Sequence, residues 1–73
     1  MTPEQCKAAR ALAKMSQQDL ADAAEVAKAT IANFETGNRQ PYKRTVGALK
    51  AALEAKGVKF TTSGVEVGGS AEI

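Results

Sequence analysis

The sequence predicts an all-α domain of four to five helices that ends in a short β-hairpin or strand. Across residues 17–37, apolar residues recur at the three- and four-residue spacings of helix faces, in two stretches separated by a tight turn. Residues 2–5 and 16–19 have the composition of helix starts. After residue 57 the pattern changes to the alternation that is typical of strands.

The first predicted helix begins within residues 2–5, TPEQ. Thr2 is suited to the N-cap, the proline that follows fits the first helical position, and Gln5 completes a capping box. We expect the helix to run to about Lys14. Its inward residues should be Cys6, Ala9, Leu12 and Ala13.

The next two predicted helices are short. The second begins at Ser16, whose hydroxyl can cap the amide of Asp19, and it ends near Ala24. The third runs from about Lys28 to Thr36 and ends at Gly37, a residue suited to a left-handed C-terminal position. Helices of this length depend on tertiary packing rather than on intrinsic helix propensity.

A longer fourth helix is predicted from about Lys43 to Lys56, with Gly57 as its stop. Gly47 lies inside it and costs about 1 kcal/mol relative to alanine. The core face of this helix should hold Val46, Leu49, Ala52 and Leu53.

The C-terminal segment alternates between apolar and polar residues. Residues 58–61 and 65–67 do so on either side of a turn, which predicts a hairpin that needs a further surface or strand to be stable. Residues 68–73 should form a frayed tail. We therefore divide the chain into a domain of residues 1–57 and a segment of residues 58–73 that is a candidate for dimerisation.

Composition and cysteine usage exclude several classes of protein. At 73 residues the chain has room for one core. It has no histidine, and its single cysteine, Cys6, has apolar neighbours that indicate a core residue, so no catalytic site, metal site or intramolecular disulfide is indicated. We expect neither an enzyme nor a cofactor nor a small-molecule ligand. No apolar run reaches the length of a signal peptide or a membrane span, which makes a cytoplasmic protein the default expectation.

The net charge of +2 is small, but the positive charges are unevenly placed. Arg39, Lys43 and Arg44 lie within a stretch of six residues, Lys28 shortly precedes them, and residues 36–53 contain no acid. A solvated positive face is the simpler interpretation of such a run. Its position directly after the third predicted helix favours contact with phosphate instead.

One series of residues runs through the predicted helices in a fixed register: Ser16-Gln17, Leu20-Ala21, Ile31, Glu35, Gly37 and Pro41. In this order and spacing the series resembles the lambda-repressor-like helix-turn-helix family of phage repressors and Cro proteins, over about residues 3–56. The segment from Ala48-Leu49 to Phe60 also looks like one that follows this domain in small bacterial regulators. The resemblance implies a compact helix-turn-helix domain that binds double-stranded DNA.

The resemblance also implies a role for each exposed residue around a recognition helix, the third helix, in the major groove. Lys28 could donate to guanine, Asn33 could pair with adenine and Ala29 could touch a thymine methyl group. The DNA backbone would be contacted by Gln17, Thr30, Thr36, Arg39, Lys43 and Arg44. The alternatives are a solvated Gln17, an Asn33 that bonds within its own helix, and a Thr30 that caps backbone amides.

The expected role of Glu35 is structural. In some relatives a carboxylate at this position pairs with an arginine on the first helix, and Arg10 stands where that arginine would be, so the resemblance implies a partly buried Arg10–Glu35 ion pair. The chain departs from the family pattern at Glu25, where glycine is common, and at Ala27, where serine or threonine is the usual cap. Tyr42 stands where a small capping residue is usual.

Together these observations predict a sequence-specific DNA-binding transcriptional regulator. It should act as a homodimer, because one recognition helix reads few base pairs, and the fourth helix and the hairpin are both candidates for the dimer contact. The alternative is a protein-interaction module with the same fold, such as an antitoxin or an accessory subunit. The small net charge, Glu25 and the alanines of the third helix favour that alternative.

Overall fold

Four helices and a two-stranded hairpin follow one another in the computed structural model, which describes residues 1–62 and 64–67. In chain order the elements are α1 (Pro3–Ala13), α2 (Gln17–Ala24), α3 (Lys28–Glu35), α4 (Lys43–Glu54), β1 (Val58–Phe60) and β2 (Val65–Val67). The predicted helical fold with a C-terminal hairpin is confirmed. The frayed tail expected over residues 68–73 lies outside the described residues.

Reciprocal hydrogen bonds start the first two helices. At α1 the Thr2 hydroxyl accepts from the amide of Gln5 at 3.0 Å, and the side-chain oxygen of Gln5 accepts from the amide of Thr2 at 2.8 Å. At α2, Ser16 and Asp19 make the same exchange at 2.9 and 3.0 Å. Each capping box satisfies two amides that the helix leaves without a backbone partner, and both predicted helix starts are confirmed.

The first two helices end at residues with left-handed backbone that are not glycine. Lys14, after α1, has a φ of 57°, and Glu25, after α2, has a φ of 59°. This conformation costs an ordinary residue about 1–2 kcal/mol, because its Cβ crowds the following carbonyl oxygen. Gly37, just after the C-cap of α3, is also left-handed, with a φ of 80°, as predicted. Because glycine has no Cβ, this conformation costs it no steric energy.

All four helices contribute to one hydrophobic core. Its largest fully buried side chains are Phe34, Leu20, Ile31, Leu49, Leu53 and Cys6. The inward position predicted for Leu12 is wrong, since this side chain is 40% exposed. Leu12 follows buried Ala9 by three residues, which places it about 60° around the helix from Ala9 at 3.6 residues per turn. The core lies on the other side of Ala9, where Ala13 packs against it.

The helix α4 is shorter than predicted and ends at Glu54 rather than at Lys56. Backbone hydrogen bonds from Lys56 to Leu53 and from Gly57 to Glu54, both 3.0 Å long, tighten the chain into a turn before β1. Even so, α4 is the longest helix of residues 1–62, and no helix described has the length and apolar composition that crossing a bilayer requires.

The hairpin packs against α1. Its antiparallel register places Val58, Lys59 and Phe60 opposite Val67, Glu66 and Val65. The side-chain amide of Gln5 donates to the carbonyl oxygens of Thr61 at 2.9 Å and Gly64 at 3.1 Å, and Val58 is buried in the core. A two-stranded hairpin alone is marginally stable in water, so these contacts with the helices hold it in place.

Candidate nucleic-acid interface

The helix α3 turns one side to the core and the other to solvent. Its buried residues are Ile31, Phe34 and Glu35. At 3.6 residues per turn, the opposite side carries Ala29, Thr30, Asn33 and Thr36. Lys28 is exposed in the first turn of the helix. The three side chains predicted to contact bases, those of Lys28, Ala29 and Asn33, therefore all lie outside the core.

A groove with a volume of about 490 Å³ separates the solvent side of α3 from the residues that follow the helix. We call it the α3–α4 groove. On one side it is lined by Ala29, Thr30 and Asn33, and on the other by Arg39, Gln40, Pro41, Tyr42 and Thr45. It brings together four residues predicted for DNA contact: Ala29, Thr30, Asn33 and Arg39. The other predicted contacts, Gln17, Lys28, Thr36, Lys43 and Arg44, do not line it.

Four of the groove-lining residues were not assigned by sequence reasoning: Gln40, Pro41, Tyr42 and Thr45. Pro41 belongs to the residue series that carries the family resemblance, although the resemblance gives it no contact role, and no pattern in the sequence distinguishes Gln40 or Thr45. Tyr42 does carry a signal, because a large aromatic residue stands at the N-cap of α4 and makes no capping hydrogen bond there. Tyr42 is 81% exposed, about twice the exposed fraction of Leu12, the other large hydrophobic residue that is exposed among those the structure describes.

Among residues 1–62 and 64–67, the exposed positive charges of this region have no carboxylate partner within 4.0 Å. They belong to Lys28 on α3, Arg39 in the following loop, and Lys43 and Arg44 at the start of α4. Within the part of the chain that the structure describes, the only ion pair shorter than 4.0 Å joins Arg10 and Glu35. Cations that no carboxylate neutralises are available to attract phosphate groups.

A buried carboxylate, that of Glu35, joins α3 to the two preceding helices. Arg10 donates to it twice, from Nε to Oε2 at 2.7 Å and from Nη2 to Oε1 at 2.8 Å. Gln17 on α2 donates from Nε2 to Oε1 at 3.1 Å, and the Cys6 thiol on α1 donates to Oε2 at 3.1 Å. Arg10 also donates from Nη1 to the carbonyl oxygen of Met15 at 3.1 Å. These bonds fix the position of α3 relative to α1 and α2.

The ionisation of this cluster follows from its contacts. Burial acts to raise the pKa of Glu35, but hydrogen bonds from Arg10, Cys6 and Gln17 and the charge of Arg10 outweigh it, and the pKa lies below its usual value. The hydrogen bond with Glu35 raises the pKa of Arg10. Burial, followed by the hydrogen bond to Glu35, raises the pKa of the Cys6 thiol to about 12. The thiol therefore stays protonated and donates to the carboxylate.

The arrangement of α1 to α4 has a counterpart among known proteins. A family model described as helix-turn-helix matches residues 7–56, from the second turn of α1 to just beyond α4. The chain belongs to the lambda-repressor-like helix-turn-helix family. This is a family of DNA-binding regulators. The helices α2 and α3, with the turn between them, are the helix pair that the sequence predicts. No curated protein matches the chain.

Two of the predicted backbone contacts of this helix-turn-helix domain already have partners within the protein. Gln17 gives one of its two side-chain N–H groups to Glu35, which leaves the other N–H group and the oxygen for a ligand. Thr36 donates its hydroxyl to the carbonyl oxygens of Ala32 and Asn33, at 3.1 and 3.2 Å. Its hydroxyl oxygen can still accept a hydrogen bond. The DNA contacts of both residues stay predictions.

The two departures from the family pattern lie in the turn of the helix-turn-helix motif. Glu25 adopts the left-handed conformation for which relatives commonly have glycine, and its side chain is exposed. Ala27 is the N-cap of α3 and supplies no side-chain hydrogen bond. The first amides of α3 consequently lack the acceptor that serine or threonine provides, a difference of about 1 kcal/mol in helix stability.

Proposed function

We propose that this protein is a sequence-specific DNA-binding transcriptional regulator that places α3, over about residues 28–36, in the major groove. The proposal rests on the side chains that α3 presents to solvent. This side of the helix combines solvent-facing donor and methyl-bearing side chains with neighbouring cations that no carboxylate of the described residues approaches within 4.0 Å. A helix with such a face fits the width of the major groove and matches the hydrogen-bonding pattern of base edges.

In this proposal the residues divide into two classes. Lys28, Ala29 and Asn33 contact base edges, because they lie on the solvent side of α3 and their chemistry suits guanine, thymine and adenine in turn. The backbone contacts are Gln17, Thr30, Thr36, Arg39, Lys43 and Arg44. The cations of this second class supply most of the affinity and make it dependent on salt.

A homodimer is part of the proposal. One helix of eight residues reads few base pairs, and two copies related by a two-fold axis read two half-sites. Residues 58–73 are the proposed dimerisation segment. Within the described part of this segment the sheet has only the strands β1 and β2, so each strand keeps one edge on which a second copy can pair.

The test of DNA binding is a fluorescence anisotropy titration of a labelled mixed-sequence duplex at about 50 and about 200 mM salt. We expect salt-sensitive binding that Lys28→Ala and Arg44→Ala both weaken. Lys7→Ala is the matched control, because Lys7 is an exposed lysine on α1 that belongs neither to the proposed DNA contacts nor to the proposed dimerisation segment. Binding that the first two substitutions leave unchanged would refute the proposed interface. Selection from a random duplex library would then test sequence specificity, and two half-sites at a fixed spacing would indicate a dimer.

A second candidate function rests on the acidic surface of α2. Asp19 and Asp22 on this helix and Glu25 directly after it are all exposed, and α2 contains no basic residue. This surface repels DNA phosphates and suits a basic protein partner, as in an antitoxin or an accessory subunit. The titration distinguishes the two functions, because a pure protein-interaction module shows no binding to duplex DNA even at low salt.

A further inference from the structure

Tyr42 is the most prominent feature of the α3–α4 groove for which the proposed function gives no role. Its side chain is 81% exposed, although tyrosine is usually at least partly buried. It occupies the N-cap of α4 and makes no capping hydrogen bond, so it contributes nothing evident to the start of that helix. A large amphipathic side chain held in solvent beside a groove is typical of a binding surface.

The position of Tyr42 relates it directly to the residues proposed to read bases. Tyr42 and α3 residues Ala29 and Asn33 line the same groove. When α3 lies in the major groove, the chain that follows it meets the sugar–phosphate backbone of a bordering strand. The charges around Tyr42 fit such a strand, because Arg39, Lys43 and Arg44 are close to it in sequence and residues 36–53 contain no acid.

We infer that Tyr42 is a DNA-contact residue, with its hydroxyl donating to a phosphate oxygen and its ring covering the adjoining deoxyribose. The inference rests on the proposed function and adds to it an uncharged contact on the far side of the α3–α4 groove. The hydrogen bond is charge-assisted, so it contributes to affinity, yet a neutral phenol releases no counterion when it binds. Its contribution is therefore insensitive to salt, unlike that of Arg39 in the same groove.

Two substitutions separate the parts of this contact. Tyr42→Phe removes the hydroxyl alone and should weaken binding to the mixed-sequence duplex about tenfold for each bound copy of the chain. Tyr42→Ala also removes the ring and should weaken binding further. In both variants the slope of log K against log salt should equal that of the wild type. Arg39→Gln should instead reduce the magnitude of the slope by about one unit for each bound copy of the chain. Because a phosphate contact carries no sequence information, the loss in Tyr42→Phe should be the same for duplexes of different sequence.

The outcomes distinguish this inference from the proposal on which it rests. Thermal unfolding of both variants should match that of the wild type, since the side chain is exposed and caps nothing. If the wild type binds duplex DNA and both Tyr42 variants bind equally well, the inference about Tyr42 is overturned while the proposed function stands. If the wild type binds no duplex DNA at low salt, the proposed function and the inference both fail. If Tyr42→Phe changed the slope of log K against log salt, the inference that Tyr42 makes an uncharged contact would be overturned.

Discussion

Arg10 and Glu35 lie on different helices and are joined by two parallel hydrogen bonds of 2.7 and 2.8 Å. The side chain of Glu35 is 3% exposed and that of Arg10 is 18% exposed, so the pair is largely withdrawn from water. A charge in such a place is tolerable only while its partner is present. The pair therefore acts as a constraint on how α1 and α3 pack, and its removal has consequences that can be measured.

Glu35→Gln should destabilise the fold by about 2–3 kcal/mol, because it leaves the Arg10 guanidinium without a counter-charge in a largely buried site. The midpoint of urea unfolding measures the loss. Glu54→Gln is the control, since it removes an exposed carboxylate from α4 and should change stability by no more than about 0.5 kcal/mol. Equal stability of Glu35→Gln and the wild type would refute a structural role for the ion pair.

The same pair should make stability depend on pH in the acid range. The pKa of Glu35 lies below its usual value of 4.5, so in the unfolded chain this carboxyl takes up a proton at a higher pH than in the folded protein. Its contribution to stability is therefore complete above pH 4.5 and is lost as the pH falls through the lower pKa of the folded state. Urea midpoints measured from neutral to acid pH should show the advantage of the wild type over Glu35→Gln shrinking below that value. An advantage that grows in acid would contradict the assigned direction.

Gln5→Glu should release the hairpin while keeping the helix cap. Glutamate retains the side-chain oxygen that accepts from the amide of Thr2, but it has no N–H group to give to the carbonyl oxygens of Thr61 and Gly64. We expect a loss of about 2 kcal/mol in unfolding free energy, since two carbonyl oxygens face a carboxylate. Amide hydrogen exchange in β1 should accelerate more than exchange in α2. Gln40→Glu is the control, because it adds the same charge at an exposed position. It should neither lower the unfolding free energy nor accelerate exchange in β1.

Substituting glycine for Lys14 or Glu25, the two left-handed residues at helix ends, should distinguish an effect on stability from an effect on DNA binding. Glu25→Gly and Lys14→Gly both relieve backbone strain and should each raise stability by up to about 1 kcal/mol, part of the gain being offset by the flexibility of glycine in the unfolded chain. Only Glu25→Gly also removes a negative charge beside α3, so it alone should strengthen binding to duplex DNA. Thermal unfolding and anisotropy titrations of both variants measure the two effects. DNA binding that Glu25→Gly leaves unchanged would contradict the placement of Glu25 near the interface.

Local chemistry explains which parts of the fold were predictable. The capping boxes at Thr2 and Ser16 depend on residues three positions apart, and the hairpin depends on alternation over a few residues. Short stretches of sequence are therefore enough to predict the helix starts and the hairpin. The burial of Leu12 was predicted wrongly, because the spacing of residues on one helix does not say which side of that helix its neighbours cover.

The candidate site likewise has contacts that the sequence predicts and contacts that it does not. The solvent side of α3 follows from helical periodicity, and the pairing of Arg10 with Glu35 followed from the family resemblance. The bonds from Gln17 and Cys6 to the same carboxylate join residues 18 and 29 positions apart, and no local pattern encodes them. Tyr42 was visible as an unusual residue, but its place in the α3–α4 groove depends on how the loop after α3 folds back.

The bond between Gln5 and Thr61 also sets an order of events during biosynthesis. These residues are 56 positions apart, so the ribosome must make all four helices before the acceptor for Gln5 exists. A nascent chain can form the capping boxes of Thr2 with Gln5 and of Ser16 with Asp19 as soon as these residues have emerged, but the bond from Gln5 to Thr61 has to wait for the hairpin. Of the four helices, α1 is thus synthesised first, but its hydrogen bond with the hairpin is among the last contacts to form.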